Sequence, residues 1–144
     1  RKGRTYMYFK GEPLYPFGFG LSYTTFAYSN LRCSADSVNA SGEITVSVDV
    51  KNTGKRAGDE VVQMYVKHLD SAVERPIKEL RGFERIPLQP GETRTVRLPL
   101  KGQDLTYWDA SKQRFVVEPG KLSIMLGGSS ASVQLEKTIE VTER

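Results

Sequence analysis

Ile44-Thr45-Val46-Ser47-Val48-Asp49-Val50 decides the fold class. Apolar side chains fall at every second position, the period of a strand with one face buried and the other wet. Working outward, Glu60-Val61-Val62-Gln63-Met64-Tyr65-Val66 is apolar on both faces and suits a central strand covered on each side. Thr95-Val96-Arg97-Leu98-Pro99-Leu100 alternates again, and Pro99 assigns it to an edge or a strand end. Further strands are predicted over Thr25–Leu31, with Phe26 and Tyr28 on one face, and over Glu79–Ile86, Phe115–Val117, Leu122–Leu126 and Val133–Val141. Gly82 signals a bulge or a close backbone approach inside its strand. Gln89-Pro90-Gly91-Glu92 has the Pro-Gly pair of a type II turn. Glu118-Pro119-Gly120-Lys121 reads as a second Pro-Gly turn between two strands, and 35–42 and 52–58 read as polar loops. No stretch carries a sustained helical stripe, although Gln103–Thr106 has room for one helical turn. Roughly seven or more short strands at this spacing predict an all-β, antiparallel two-sheet sandwich over residues 24–144. Ile44, Val46, Val48, Val50, Val96, Leu98, Leu122, Ile124 and Leu126 are expected to face inward.

Residues 1–23 have a different character. Of the 14 aromatic residues in the chain, 8 lie among the first 26: Tyr6, Tyr8, Phe9, Tyr15, Phe17, Phe19, Tyr23 and Phe26. Pro13, Pro16, Gly18 and Gly20 are spaced between them and make a poor strand or helix. This composition predicts an extended N-terminal arm that needs a surface to lie on, because a large bare apolar patch is an interaction site or a hazard. Tyr15, Phe17, Phe19 and Tyr23 are the expected contacts with a partner domain.

The same arm carries a resemblance. Y-x-Y-F-x-G-x-P-L-Y-P-F-G-x-G-L-S-Y-T-T-F, ending at Phe26, resembles the segment that enters the last domain of family 3 glycoside hydrolases, the β-glucosidases and β-xylosidases. Gly58-Asp59-Glu60-Val61-Val62-Gln63-Met64-Tyr65-Val66, Pro76–Phe83 and Leu88-Gln89-Pro90-Gly91-Glu92 resemble that family's terminal fibronectin type III-like module. The resemblance implies an immunoglobulin/fibronectin type III-like sandwich. It also implies a parent that hydrolyses terminal β-linked glucose or xylose residues and is periplasmic or secreted. The family's nucleophilic Asp and acid Glu lie upstream of this stretch, so the implied role is a non-catalytic interdomain module with the upstream catalytic domains as partner. Arg1 is not a natural start, and a piece of a longer chain is expected.

Composition narrows the alternatives. The 144 residues hold 21 Lys and Arg against 17 Asp and Glu, a net charge of +4. The cations are spread along the whole chain, which argues against a nucleic-acid footprint. No apolar run approaches the ~18 residues of a membrane span. The single cysteine, Cys33, cannot form an internal disulfide and reads as a small buried hydrophobe. His68 is the only histidine, so any histidine-dependent triad would need it, and it is expected exposed at a strand end. One His and one Cys without ligand spacing predict no metal, and no motif predicts a cofactor.

A glycosidase needs two carboxylates flanking the scissile bond. The 6 Asp and 11 Glu do not sort into such a pair, so no catalytic residue is expected here. Trp108, with Tyr107 and Asp109 beside it, is the one feature suited to stacking on a sugar ring and taking its hydroxyl hydrogens. The competing assignment is a core or inter-sheet tryptophan. Two other functions share the fold, a free carbohydrate-binding module and an adhesion-type domain with no enzyme attached.

Overall fold

The computed structural model describes residues 24–69, 71, 78–129 and 132–143. The arm, with Tyr15, Phe17, Phe19 and Tyr23, lies outside the described residues. The strands are β1 (Phe26–Cys33), β2 (Ser37–Asn39), β3 (Glu43–Asn52), β4 (Gly58–His68), β5 (Glu79–Leu88), β6 (Thr93–Lys101), β7 (Tyr107–Asp109), β8 (Arg114–Val116), β9 (Gly120–Ser129) and β10 (Ser132–Thr142). A single 3-10 turn, Gly102–Leu105, follows β6 where one helical turn is predicted.

Two sheets form the sandwich. One has the order β1-β3-β6 and the other β2-β10-β9-β4-β5. In the smaller sheet, Ile44, Val46 and Val48 stand opposite Leu100, Leu98 and Val96. In the larger sheet, Met64 and Val66 stand opposite Leu126 and Ile124. These are the residues that alternation turns inward, and all nine named from sequence are at most 5% exposed. Such burial gains roughly 1.5–3 kcal/mol per large aliphatic side chain before ordering costs.

The turn chemistry behaves as its residues dictate. Gly91 has φ 80°, and Glu92 N–H donates to the Gln89 carbonyl at 2.9 Å, which closes the type II turn between β5 and β6. The register of β4 on β5 slips between Met64 and Tyr65, beside Gly82, as the interior glycine predicts. Pro99 sits in β6, an edge strand.

Two readings differ. Pro119-Gly120 does not turn one hairpin strand into the next, because β8 pairs with β7 and not with β9. Residues 35–42, read as a polar loop, contain β2, which runs parallel to β10 and seats Val38 in the core. A three-residue strand is too short to show a period, so only its pairing partner reveals it.

Candidate functional site

The two sequence-predicted sugar contacts lie on β7, which pairs only with β8 in a small ribbon separate from both sheets. Trp108 is 54% exposed, so it is not the core or inter-sheet tryptophan of the competing assignment. Its cross-strand partner Phe115 is 66% exposed, and their rings meet edge to face with centroids 5.2 Å apart. Successive strand residues point to opposite faces. Tyr107 therefore stands on the other face of the ribbon, opposite Val116, and lines a cleft of about 310 Å³ with Arg114, Val117, Glu118 and Glu143, to which Phe115 also contributes. The ribbon thus separates Tyr107 from Trp108 and gives Trp108 a phenylalanine neighbour that sequence reasoning did not pair with it. Only the β7–β8 register reveals that partner.

Asp109 does not serve these rings. Its Oδ1 accepts from Ser111 N–H at 3.0 Å and from the Ser111 hydroxyl at 2.6 Å, closing the turn into β8. The Ser111 hydroxyl bond is the main reason its carboxyl titrates below the usual range. His68 ends β4 as expected, but it is half-buried at a cleft of about 210 Å³ with Glu118, Pro119 and Lys121. Cys33 is half-buried against the core, and burial pushes its thiol up, away from thiolate reactivity.

Several carboxylates have structural partners. Asp49 accepts from Thr95, Asn30 and Arg32, and the Thr95 bond leads in holding its carboxyl below the usual range. Asp59 pairs with Arg85 at 2.6 Å, Glu79 with Arg81 at 3.1 Å and Glu92 with Arg94 at 3.2 Å. Ser71 donates to Glu118 at 2.6 Å, and Ser123 donates to Glu136. Tyr28 OH donates to Glu60 Oε2 at 2.9 Å, joining β1 of one sheet to β4 of the other. Burial raises the Glu60 carboxyl, and burial followed by the Glu60 charge raises the Tyr28 phenol. No group of three or more His, Cys, Asp or Glu able to hold a metal occurs among the described residues.

Beside Thr24, the first described residue, Asn52 forms a node that sequence reading passed over. It is fully buried. Its Oδ1 accepts from Thr24 Oγ1 and from Gly54 N–H, and its Nδ2 donates to the carbonyls of Arg56 and Leu88. A Cβ on Gly54 would lie 2.1 Å from Thr24 Oγ1, so glycine is what lets the first described residue lie this close. Asn52-Thr53-Gly54 reads as an ordinary loop, and its only distinguishing sign is an asparagine where the inward alternation of β3 calls for an apolar residue.

Comparison with known proteins places the chain. The fibronectin type III-like domain family matches residues 60–130. A periplasmic β-glucosidase of Salmonella typhimurium is 45% identical over 122 residues, 85% of this chain and 16% of that protein. A β-xylosidase of Formosa agariphila is 48% identical over 137 residues, 95% of this chain and 19% of that protein. The solved structure of a β-glucosidase from Erythrobacter marinus superposes with a TM-score of 0.77 at 42% identity, covering 96% of this chain and 18% of that one. The chain spans less than a fifth of each of these relatives. The sandwich topology, the family match and these relatives agree that the chain contains a fibronectin type III-like domain and is homologous to a small part of β-glucosidases and β-xylosidases.

Proposed function

We propose that the chain is a non-catalytic structural module of a family 3 β-glycosidase acting on terminal β-linked glucose or xylose residues. The observation that carries this is the match of 85–95% of the chain to 16–19% of proteins named as a β-glucosidase and a β-xylosidase. The engagement of Asp49, Asp59, Glu60, Glu79, Glu92 and Asp109 in turns, ion pairs and an inter-sheet bond is in keeping with it. The arm is proposed to lie on the catalytic body through Tyr15, Phe17, Phe19 and Tyr23, with its root held at Thr24 by Asn52. The 144-residue chain, freed of host glycosidases, is expected to release no aryl group from aryl β-glucosides or β-xylosides. The full-length enzyme is expected to do so, and deletion of residues 24–144 to lower its Tm. Turnover by the clean chain, or a deletion without effect, overturns the reading.

A second reading is favoured by the exposed ring of Trp108. The β7–β8 ribbon would lay Trp108 and Phe115 on a polysaccharide surface, with Tyr107 contributing from the opposite face only if the ribbon is straddled. Retention on insoluble cellulose or xylan that Trp108→Ala abolishes is its test. Passage of both proteins through the resin unretained removes it.

A further inference from the structure

The outward face of the larger sheet is unlike a solvated one. Val62, Met64 and Val66 are completely buried in the core, so Val61, Gln63 and Tyr65 project outward from β4. Gln63 stands opposite Phe83, and Tyr65 stands opposite both Leu80 on β5 and Met125 on β9. Met125 is 6% exposed but does not belong to the core cluster that contains its neighbours Ile124 and Leu126. An apolar row of Phe83, Leu80, Tyr65 and Met125 therefore crosses three strands on the side where an antiparallel sheet ordinarily turns polar. Phe83 is 65% exposed, Leu80 47% and Val61 37%. Beside the row Arg85 pairs with Asp59 and Arg81 with Glu79, while Lys67 on β4 and Glu136 opposite Met125 border its other side.

We infer that this face docks the sandwich onto an apolar patch elsewhere in its own polypeptide, an inference that rests on the module reading above. Size identifies the occupant. At ~200 Å² for a large aromatic side chain, Phe83, Leu80 and Val61 together still expose roughly 300 Å². A stable contact between free partners takes ~800 Å² from each. A patch this small holds a partner only when a tether keeps the local concentration near the millimolar range. Tethered chain is plentiful, because more than four-fifths of each matched relative lies outside the matched stretch.

Phe83 and Phe115 make an internal control, since they are the same residue type and almost equally exposed, at 65% and 66%. Hydroxyl-radical footprinting of the full-length enzyme, read by peptide mass spectrometry, compares them in one molecule. The expected result is oxidation of Phe83 several-fold slower than Phe115, unchanged on dilution to the monomer. Equal rates, or protection of Phe115 with Phe83 labelled, overturn the assignment of this face. Protection of Phe83 that vanishes on dilution assigns the patch to a second copy and also overturns it. Deletion of residues 24–144 in parallel separates the two failures. A lowered Tm with equally labelled rings removes this face and leaves the module reading standing, whereas an unchanged Tm removes the module reading itself.

Discussion

Asn52 shows how much one polar side chain can hold when it has no access to water. Its two acceptor positions and its two donors are all used, by Thr24, Gly54, Arg56 and Leu88. Asn52→Ala strands these groups, and each buried orphan costs ~1–3 kcal/mol. A loss of about 3 kcal/mol or more is expected in urea unfolding of the chain, and a loss below about 1 kcal/mol contradicts the node. Glu60 gives a pH-dependent counterpart. Burial raises its carboxyl in the folded state, so the folded chain binds the proton more tightly than the unfolded one. Its contribution is complete below the unfolded value of ~4.3 and is lost as pH rises through the raised folded value. Glu60→Gln keeps an oxygen for Tyr28 and removes the titration. Its Tm is therefore expected to gain on wild type as pH climbs from about 4 to 7. A difference that stays flat, or runs the other way, rules out this linkage.

At the scale of elements, β3 owes its place to its alternation. Val48 is 1% exposed between the sheets and stands opposite Val96. Val48→Asp puts an unpaired charge there and should cost more than about 3 kcal/mol, read as a drop in the urea midpoint. A midpoint within error of wild type would mean that β3 is not where its period assigns it. The period of two was legible for β3, β6 and β9 because each puts at least three alternating apolar residues into the core. The ribbon was less so. Phe115 and Trp108 were visible as aromatics, but nothing local says that strands of three residues pair with each other rather than with a sheet. That choice is tertiary, made by which backbone edges are left free.

For the molecule as a whole, the arm tests whether the sandwich works as a brace. Burying even four of its rings against a catalytic body would contribute several kcal/mol at ~25 cal/mol per Å², before ordering costs. Phe17→Ala combined with Phe19→Ala is expected to lower Tm and activity together in the full-length enzyme. The unfolding transition of the 144-residue chain should stay nearly unmoved. The opposite pattern, a weakened chain and an unaffected enzyme, would assign the arm to the sandwich core. The sequence by itself determined the two-sheet sandwich, its inward residues and the type II turn at Gly91, because period and backbone preference are properties of neighbours along the chain. Only the tertiary structure decided that Asn52 is a buried node, that Tyr28 and Glu60 bridge the sheets, and that Tyr107 and Trp108 part to opposite faces. It also decided that Phe83 and Leu80 form one row with Tyr65 and Met125. Each of these depends on groups brought to hydrogen-bonding or packing distance by strand register, by loop path and by the packing of one sheet on the other, which no local pattern encodes.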